Sequence, residues 1–416
     1  MSARRPLSAI RVVDFGQLTA GANTSAMLAD LGADVIKIES PANLDLFRII
    51  GAVDQAPGWW NRSPPFRFSN RNKRSIALDL KSEDGRRLAR GLIAQSDVVV
   101  ENFRRGVLER LGLDFEALRA ESPKIILASV SSQGETGPNR LHASFGSTLD
   151  ATGGLAAMTG YPDDAPLVSG SDVNYPDQVV SLISVGLILA ALREVRRTGL
   201  GVRLDISQRE VVSFLIGEEI VAAGAQGARR AVRRGNADGN ALLQDCFACA
   251  DGRWVAVTVS DEAQAQRALA LIGPGISPGG TGTALAEPGT SLAEPGTPLR
   301  DSGPAWLRSS LAAWCGRQHA DEAAAALAGT GIAAAPVLNG VDLLHAPHLS
   351  GGSLAIDASG ALVKGMPYAF DAWPFAVRRD APDLGQDTDD VLREVLGLPE
   401  DDIERLKALG VTRTDP

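Results

Sequence analysis

The chain has 416 residues and a formal net charge of -9, with 44% hydrophobic and 22% charged residues. That length exceeds one ordinary core at roughly 100 to 200 residues per domain, so two domains are expected, and the ordinary composition predicts a folded chain. The acidic balance excludes general nucleic-acid binding, which needs clustered Lys and Arg, and the opening MSARRPLSAIRVVDF lacks the apolar core of a signal peptide, which predicts a cytoplasmic protein.

In chain order, IRVVDF reads as a strand, NTSAMLADLG as a helix opened by Asn23 or Thr24, and ADVIKIES as a second strand. The alternation continues through the strand SIALDL, a helix after Ser82, the strand DVVVEN, the helix DFEALRAES and the strand KIILASVS. Strands apolar on both faces predict a parallel sheet covered by helices, hence an α/β fold. Residues 178–198 read as one helix stopped by Gly199. A membrane is not expected as a partner, because the apolar run Val179 to Leu192 falls short of the roughly 20 residues that a bilayer needs. After VRLDIS a helical stretch runs to about Ala231, and the glycines of RRGNADGNALLQ punctuate a boundary. CFACADGRWVAVTV then predicts a hairpin turning at Asp251-Gly252, followed by the helical stretches QAQRALALI and DEAAAALAG. The Gly/Pro-rich stretch at about 273–304, containing LAEPGT twice, reads as a surface insertion. From about Asn339 come short strands and two acidic helical turns, DTDDVLREVLG and EDDIERLKALG. The resulting division is 1–205 for the first part of a large domain, 206–231 for a helical linker, 232–338 for a smaller α+β domain, and 339–416 for a return to the large one.

Three cysteines, Cys246, Cys249 and Cys315, do not make a disulfide framework, and the CxxC of Cys246 and Cys249 has no second Cys or His pair at ligand spacing. No metal is assigned. The loop after the first strand lacks GxGxxG, which argues against a dinucleotide, and no GxSxG elbow is present.

Several blocks in order, IRVVDFGQLTAGANTSAMLADLGADVIKIE, FSNRNKRSIALDLKSEDGRRLARGLIAQSDVVVENFRRGVLERLGL, KIILASVSSQGETGP and DQVVSLISVGLILAALREVRRTGLGVRLDIS, resemble the class III CoA-transferases, the group of formyl-CoA and carnitine CoA-transferases. Weaker similarity runs through FACADGRWVAV, GIAAAPVLNGVDLL and APDLGQDTDDVLREVLGL. The resemblance implies a Rossmann-like large domain built from both chain ends, a smaller middle domain, and a homodimer of interlocked rings. It implies acyl-CoA and a carboxylic acid acceptor as substrates, with no permanently bound cofactor.

A carboxylate that attacks a thioester forms a mixed anhydride, which holds an acyl group without water. The resemblance implies that the released CoA thiolate then converts it to an aspartyl-CoA thioester. Counting back from Ile188 in ILAAL places the nucleophile at Asp177; Asp172, in SGSDVNYPDQ, is the alternative placement. Read from the residues alone, Asp177 after Pro176 is an ordinary helix opener that needs no catalysis to explain it.

CoA carries phosphates, which call for guanidinium or ammonium donors. Arg71, Lys73 and Arg74 in NRNKR are candidates, and the resemblance adds Asn72, Asn102, Phe103, Arg110 and Leu111. Gln17, Leu18 and Thr19 follow the first strand, at the crevice where such sheets bind ligands. Gly235 and Gly239 either form the family's active-site glycine loop or are turn glycines. Trp59, Trp60, Pro64, Pro65 and Phe66 either wall an acyl pocket or pack a loop. Ser40, Ala143 and Gly146 depart from the formyl-CoA transferase pattern and argue against formyl-CoA and oxalate. Two rival readings remain. One is an α-methylacyl-CoA racemase of the same fold, whose His position falls on Ser144, beside His142; the other is a CoA-binding protein without turnover.

Overall fold

The protein was analysed as a computed structural model, in which residues 5–52, 54, 56–169, 174–226, 233–273, 305–346, 354–368, 370–373 and 375–416 are described. Strands β1 (Arg11–Asp14), β2 (Asp34–Glu39), β3 (Arg74–Ala77), β4 (Val98–Glu101), β5 (Ile126–Ser131) and β6 (Val202–Ser207) form one sheet. Its order is β3-β2-β1-β4-β5-β6 and every neighbouring pair is parallel. The chain winds outward from β1 in one direction and resumes at β4 in the other, which opens a crevice above the carboxyl ends of β1 and β4.

Both faces of this sheet are buried, as its doubly apolar strands predict. Alternation puts Val13, Ile36, Val99 and Leu127 on one face, under helices that contribute Leu88, Leu92, Leu118, Leu392 and Leu406. Val12, Val35, Val98 and Ile126 face the other way, against Leu28 of helix Ala20–Asp30 and against Ile188 and Leu192 of helix Tyr175–Thr198. That long helix is apolar enough to cross a membrane by length and composition, but it instead buries Val180, Ile188, Ala191 and Leu192. Its other side leaves Leu182, Leu187 and Leu189 exposed. The first helix begins at Ala20, not at Asn23 or Thr24. Both of those side chains lie inside it, and the Thr24 hydroxyl donates back to the Ala20 carbonyl at 2.7 Å. A back-bonded Thr satisfies itself inside a helix, so a capping residue type was not diagnostic there.

The C-terminal segment completes the same body by covering its edge. Along β3, Ser75 N donates to the Asp387 carboxylate at 2.9 Å, Ala77 N donates to the Thr388 hydroxyl at 3.1 Å, and Ser75 O accepts from Asp387 N at 2.8 Å. An edge strand with its ladder groups satisfied in this way cannot recruit another chain. A short hairpin, β10 (Leu354–Ile356) with β11 (Leu362–Lys364), lies in this returning segment.

The chain divides into two compact units, Met1–Ala156 with Val168–Ala228 and Pro347–Pro416, and Ala157–Leu167 with Arg229–Ala346. The second unit has its own antiparallel sheet, in which β7 (Leu243–Ala248) pairs with β8 (Trp254–Val259) across a turn where Gly252 has a φ of +77°, and β8 pairs with β9 (Ala333–Val337). Helices Glu262–Ile272, Ala305–Cys315 and Ala320–Gly329 cover it around Val255, Val257, Leu307, Leu311 and Leu327. Cys246 lies in β7 and Cys249 just after it, and both are free thiols. The LAEPGT repeat lies outside the described residues.

Candidate active site

The loop that leaves β1 is held by side chains from around it. Gly16 N donates to the Asp14 carboxylate at 2.7 Å, and Lys37 Nζ donates to the Gly16 carbonyl. Asn102 grips both sides of one residue: its Oδ1 accepts from Gln17 N at 2.8 Å and its Nδ2 donates to Gln17 O at 2.9 Å. Asp45 Oδ1 accepts from Leu18 N at 3.1 Å, while its carboxylate pairs with Lys37 at 3.1 Å. Together these bonds hold Leu18 in the left-handed region, at a φ of +55°. That conformation costs a branched L-residue roughly 1–2 kcal/mol and persists only where the surroundings over-determine it.

The charges beneath this loop are fully buried and matched. Lys73 pairs with Asp14 at 2.9 Å and also donates to the Ala22 carbonyl and to Asn70. Burial and neighbouring Lys37 pull the Lys73 amine down to about 8, against the opposing pull of Asp14. Burial also works against a charged Lys37, but Asp45, Asp14 and Glu39 outweigh it and leave that amine above its ordinary value.

Asp177 sits in the first turn of helix Tyr175–Thr198, directly after Pro176 and three residues beyond Asn174, which has a left-handed φ of +47°. Its carbonyl accepts from the Ser181 hydroxyl at 2.7 Å, and no hydrogen bond reaches its carboxylate among the described residues. Burial and then the nearby Asp150 push the Asp177 carboxyl up to about 6. Asp150 is itself fully buried; one of its oxygens accepts from the Ser169 amide at 2.7 Å and hydroxyl at 2.5 Å, and the other has no partner among the described residues. Gly146 packs beside Asp177. A Cβ there would lie 2.6 Å from Asn174 Oδ1 and 3.7 Å from Asp177 Oδ2, so a larger residue would have to displace the Asn174 side chain.

A cavity of about 770 Å³ in the first unit opens over Asp177. Leu18, Phe47, Phe145 and Leu149 supply apolar wall, while Asn102, Phe103, Arg104, Arg105, Arg140 and His142 also line it. Asp177 is the only acid among the described lining residues. Arg105 is committed to Asp205 at 2.9 Å and to Glu135, whereas Arg104 and Arg140 have no acidic partner among the described residues. Such a site combines a desolvated carboxylate with unpaired cations, which fits covalent chemistry on an anionic substrate.

Of the residues read from the sequence, Leu18, Asn102, Phe103 and Asp177 come together at this cavity. The Asn102 amide is already spent on the Gln17 backbone, and Thr19 is buried at the start of the first helix. The NRNKR segment is turned inward. Arg71 pairs with Asp30, Lys73 with Asp14, and Arg74 with Asp34 at 2.7 Å. Asn72, at a φ of +63°, accepts from Arg378 N at 2.7 Å and Arg379 N at 3.1 Å, and so anchors the returning segment. None of these side chains lines the cavity. Arg110 is exposed, and Leu111 packs against the core. Gly235 and Gly239 belong to the second unit, where a Cβ on Gly235, at a φ of +59°, would meet the Tyr161 ring at 2.5 Å. Asp172 lies outside the described residues.

The aromatic cluster packs a loop. Phe66 is buried under the Arg48 guanidinium, 3.6 Å from its ring centroid, and Arg48 forms a bidentate pair with Glu39 at 2.8 Å through both oxygens. Trp59 and Trp60 meet edge-on beside it, and none of Trp59, Trp60, Pro64, Pro65 and Phe66 lines the cavity. Sequence reading missed Arg104, Arg105, Arg140, Asp150 and Asp45. Arg104 and Arg105 stood in the ENFRRG block beside Asn102, but nothing local separates a paired from an unpaired arginine.

An open parallel sheet with a cavity that holds an aspartate carboxylate among arginines is the arrangement of an α/β enzyme site. The family model for CoA-transferase family III matches residues 7–388, and the chain belongs to that family. It is 31% identical to the succinyl-CoA–D-citramalate CoA-transferase of Chloroflexus aurantiacus, across 98% of each chain. It is 36% identical to the succinate–glutarate CoA-transferase of Agrobacterium fabrum, over 65% of this chain and 67% of that one. Among solved structures, a CaiB/BaiF family protein from Brucella suis superposes with a TM-score of 0.80 at 30% identity, covering 94% of this chain and 100% of that chain.

Proposed function

We propose that this protein moves CoA from a dicarboxylic acyl-CoA thioester to a second carboxylic acid, with Asp177 as the covalent relay. The observation that carries the reading is the Asp177 carboxylate itself: among the described residues it is desolvated, without a hydrogen-bond donor, and the sole acid lining a cavity that also holds unpaired arginines. A carboxylate stripped of donors is a stronger nucleophile than a solvated one.

An Asp177 oxygen attacks the thioester carbon, the C–S bond breaks, and CoA leaves as thiolate from an acyl-aspartyl anhydride. The thiolate then attacks the aspartyl carbonyl, which frees the donor acid and leaves an aspartyl-CoA thioester. The acceptor carboxylate attacks that thioester, and the expelled thiolate finally takes the acceptor acyl group from the new anhydride, restoring Asp177. The charge balances at each step without a metal or redox partner.

The dicarboxylic substrate class is supported by the names of the relatives, which join succinyl-CoA or succinate to citramalate and glutarate. A homodimer is part of the proposal, supported by the large apolar side chains left exposed: Leu182, Leu187 and Leu189, with Phe214 and Val221 on the following helices. Its interlocked form comes from the family resemblance.

The test is to trap the enzyme with hydroxylamine in the presence of succinyl-CoA and search by peptide mass spectrometry for a hydroxamate on the Asp177 peptide. A thioester-dependent hydroxamate that disappears in Asp177→Ala is the expected result. Absence of the adduct, together with α-deuterium exchange of a 2-methylacyl-CoA, would move the assignment to the racemase, for which His142 on the cavity wall is the available base.

A further inference from the structure

We infer that Arg140 is the residue that recognises the remote carboxylate of the acyl group, so that the enzyme selects dicarboxylic over monocarboxylic substrates at a single guanidinium facing the same cavity as Asp177. The inference rests on the covalent reading of Asp177 given above.

The charge distribution of the cavity poses the problem. Both substrate acids arrive negative, and the only acid lining the cavity, among the described residues, is the nucleophile they must approach. A second carboxylate on the acyl chain adds a charge that must leave bulk water, and burying it without a partner costs several kcal/mol. Some cation in the cavity has to meet it.

Arginines are the candidates, and their commitments separate them. Arg105 is already shared between Asp205 and Glu135. Arg104 lies just beyond β4, next to Asn102 and the loop after β1 that Asn102 holds, at the crevice where a doubly wound sheet takes phosphate-bearing ligands. Arg140 stands elsewhere. Among the described residues its guanidinium makes only a long bond, 3.4 Å, to the Gly137 carbonyl of its own turn. That turn is anchored: His142 N donates to Asn139 O at 2.8 Å, and the Ser132 hydroxyl at the end of β5 donates to the His142 carbonyl at 3.4 Å. The chain then runs through Phe145 into Gly146, the residue packed against Asn174 and Asp177. A guanidinium on a tethered turn, a few residues before the nucleophile's packing partner and unpaired, is placed for the acyl end of the substrate. Its planar fork also matches a carboxylate bidentately.

The experiment uses the full-length enzyme in ping-pong steady state, where kcat/KM for the donor reports the first half-reaction whatever acceptor is present. Succinyl-CoA and butyryl-CoA are compared as donors; they share the CoA moiety and a four-carbon chain and differ in the terminal carboxylate. Arg140→Ala is expected to lower kcat/KM for succinyl-CoA by about 10- to 50-fold, the low to middle range for a hydrogen-bonded pair with a charged group taken out of bulk water. Butyryl-CoA should change by less than about threefold, and Arg140→Lys should recover part of the loss on succinyl-CoA, since it restores the charge without the fork. A merely structural role would depress both donors together. Equal losses on the two donors, no loss on succinyl-CoA, or a wild-type enzyme indifferent between them would each overturn the inference. Failure of the covalent reading is seen separately, as absence of the Asp177 hydroxamate in wild-type enzyme treated with either donor.

Discussion

Asp177→Asn removes a negative charge from a desolvated site, so it should inactivate the enzyme while stabilising its fold, and the stabilisation should depend on pH in a defined way. Burial and Asp150 raise the Asp177 carboxyl from an ordinary 3.8 to about 6. A tenfold change in proton affinity corresponds to about 1.36 kcal/mol, so the ionised carboxylate weakens the native state by at most about 3 kcal/mol, and by roughly 1–3 kcal/mol once partial solvation is allowed for. The sign follows from the raised value. The folded protein holds this proton more tightly than the unfolded chain, so the group is harmless below about pH 4 and its contribution is lost as pH rises through 6. Asn stays neutral throughout, and the variant should therefore match wild type near pH 4 and exceed it by a growing margin up to about pH 7.5. Urea unfolding at a series of pH values, followed by the transition of the first unit, gives the difference directly. A variant less stable than wild type at about pH 7.5, or one offset equally at every pH, would refute this account of the site. The same proton predicts that wild-type kcat/KM falls as pH drops through about 6, since only the carboxylate attacks.

Two further substitutions probe the scaffold. Gly146→Ala places a methyl 2.6 Å from Asn174 Oδ1, and displacing that left-handed residue shifts the first turn carrying Asp177. Hydroxamate yield should fall at least about tenfold while melting temperature changes little, a split that calorimetry beside the trapping assay will read. Arg48→Ala strands Glu39, whose burial is outweighed by Arg48 so that its carboxyl lies below the usual range, and also uncovers Phe66. A loss of about 3–5 kcal/mol in denaturant titration is expected, as for one half of a buried pair, and a loss below about 1 kcal/mol would contradict the buried-pair assignment.

Much of the architecture was legible in the sequence because it depends on local periodicity. Doubly apolar strands such as VVV in β4 can be buried only between two helical layers, and the spacing of helices and strands then calls for a parallel sheet. Ser82 announced its helix, and its hydroxyl does accept from Gly85 N at 2.9 Å. The Asp251-Gly252 turn was equally plain, since a left-handed residue between alternating segments selects glycine. Helix Ala305–Cys315 was not read, because it follows directly on a Gly/Pro-rich stretch that obscures its start.

The site was legible only in part. The family resemblance, not the residues alone, pointed to Asp177, and that residue does line a cavity. The residues themselves determined an α/β chain of acidic balance with an aspartate at the head of a long apolar helix. Tertiary structure decided which arginines keep their charge available. Arg71, Arg74 and Arg105 are spent on acids that lie far along the chain, and Arg140 meets no acid among the described residues. Helical and strand periods are set by neighbours a few residues apart, whereas the pairing of Arg105 with Asp205 spans 100 positions and exists only once β5 and β6 lie side by side.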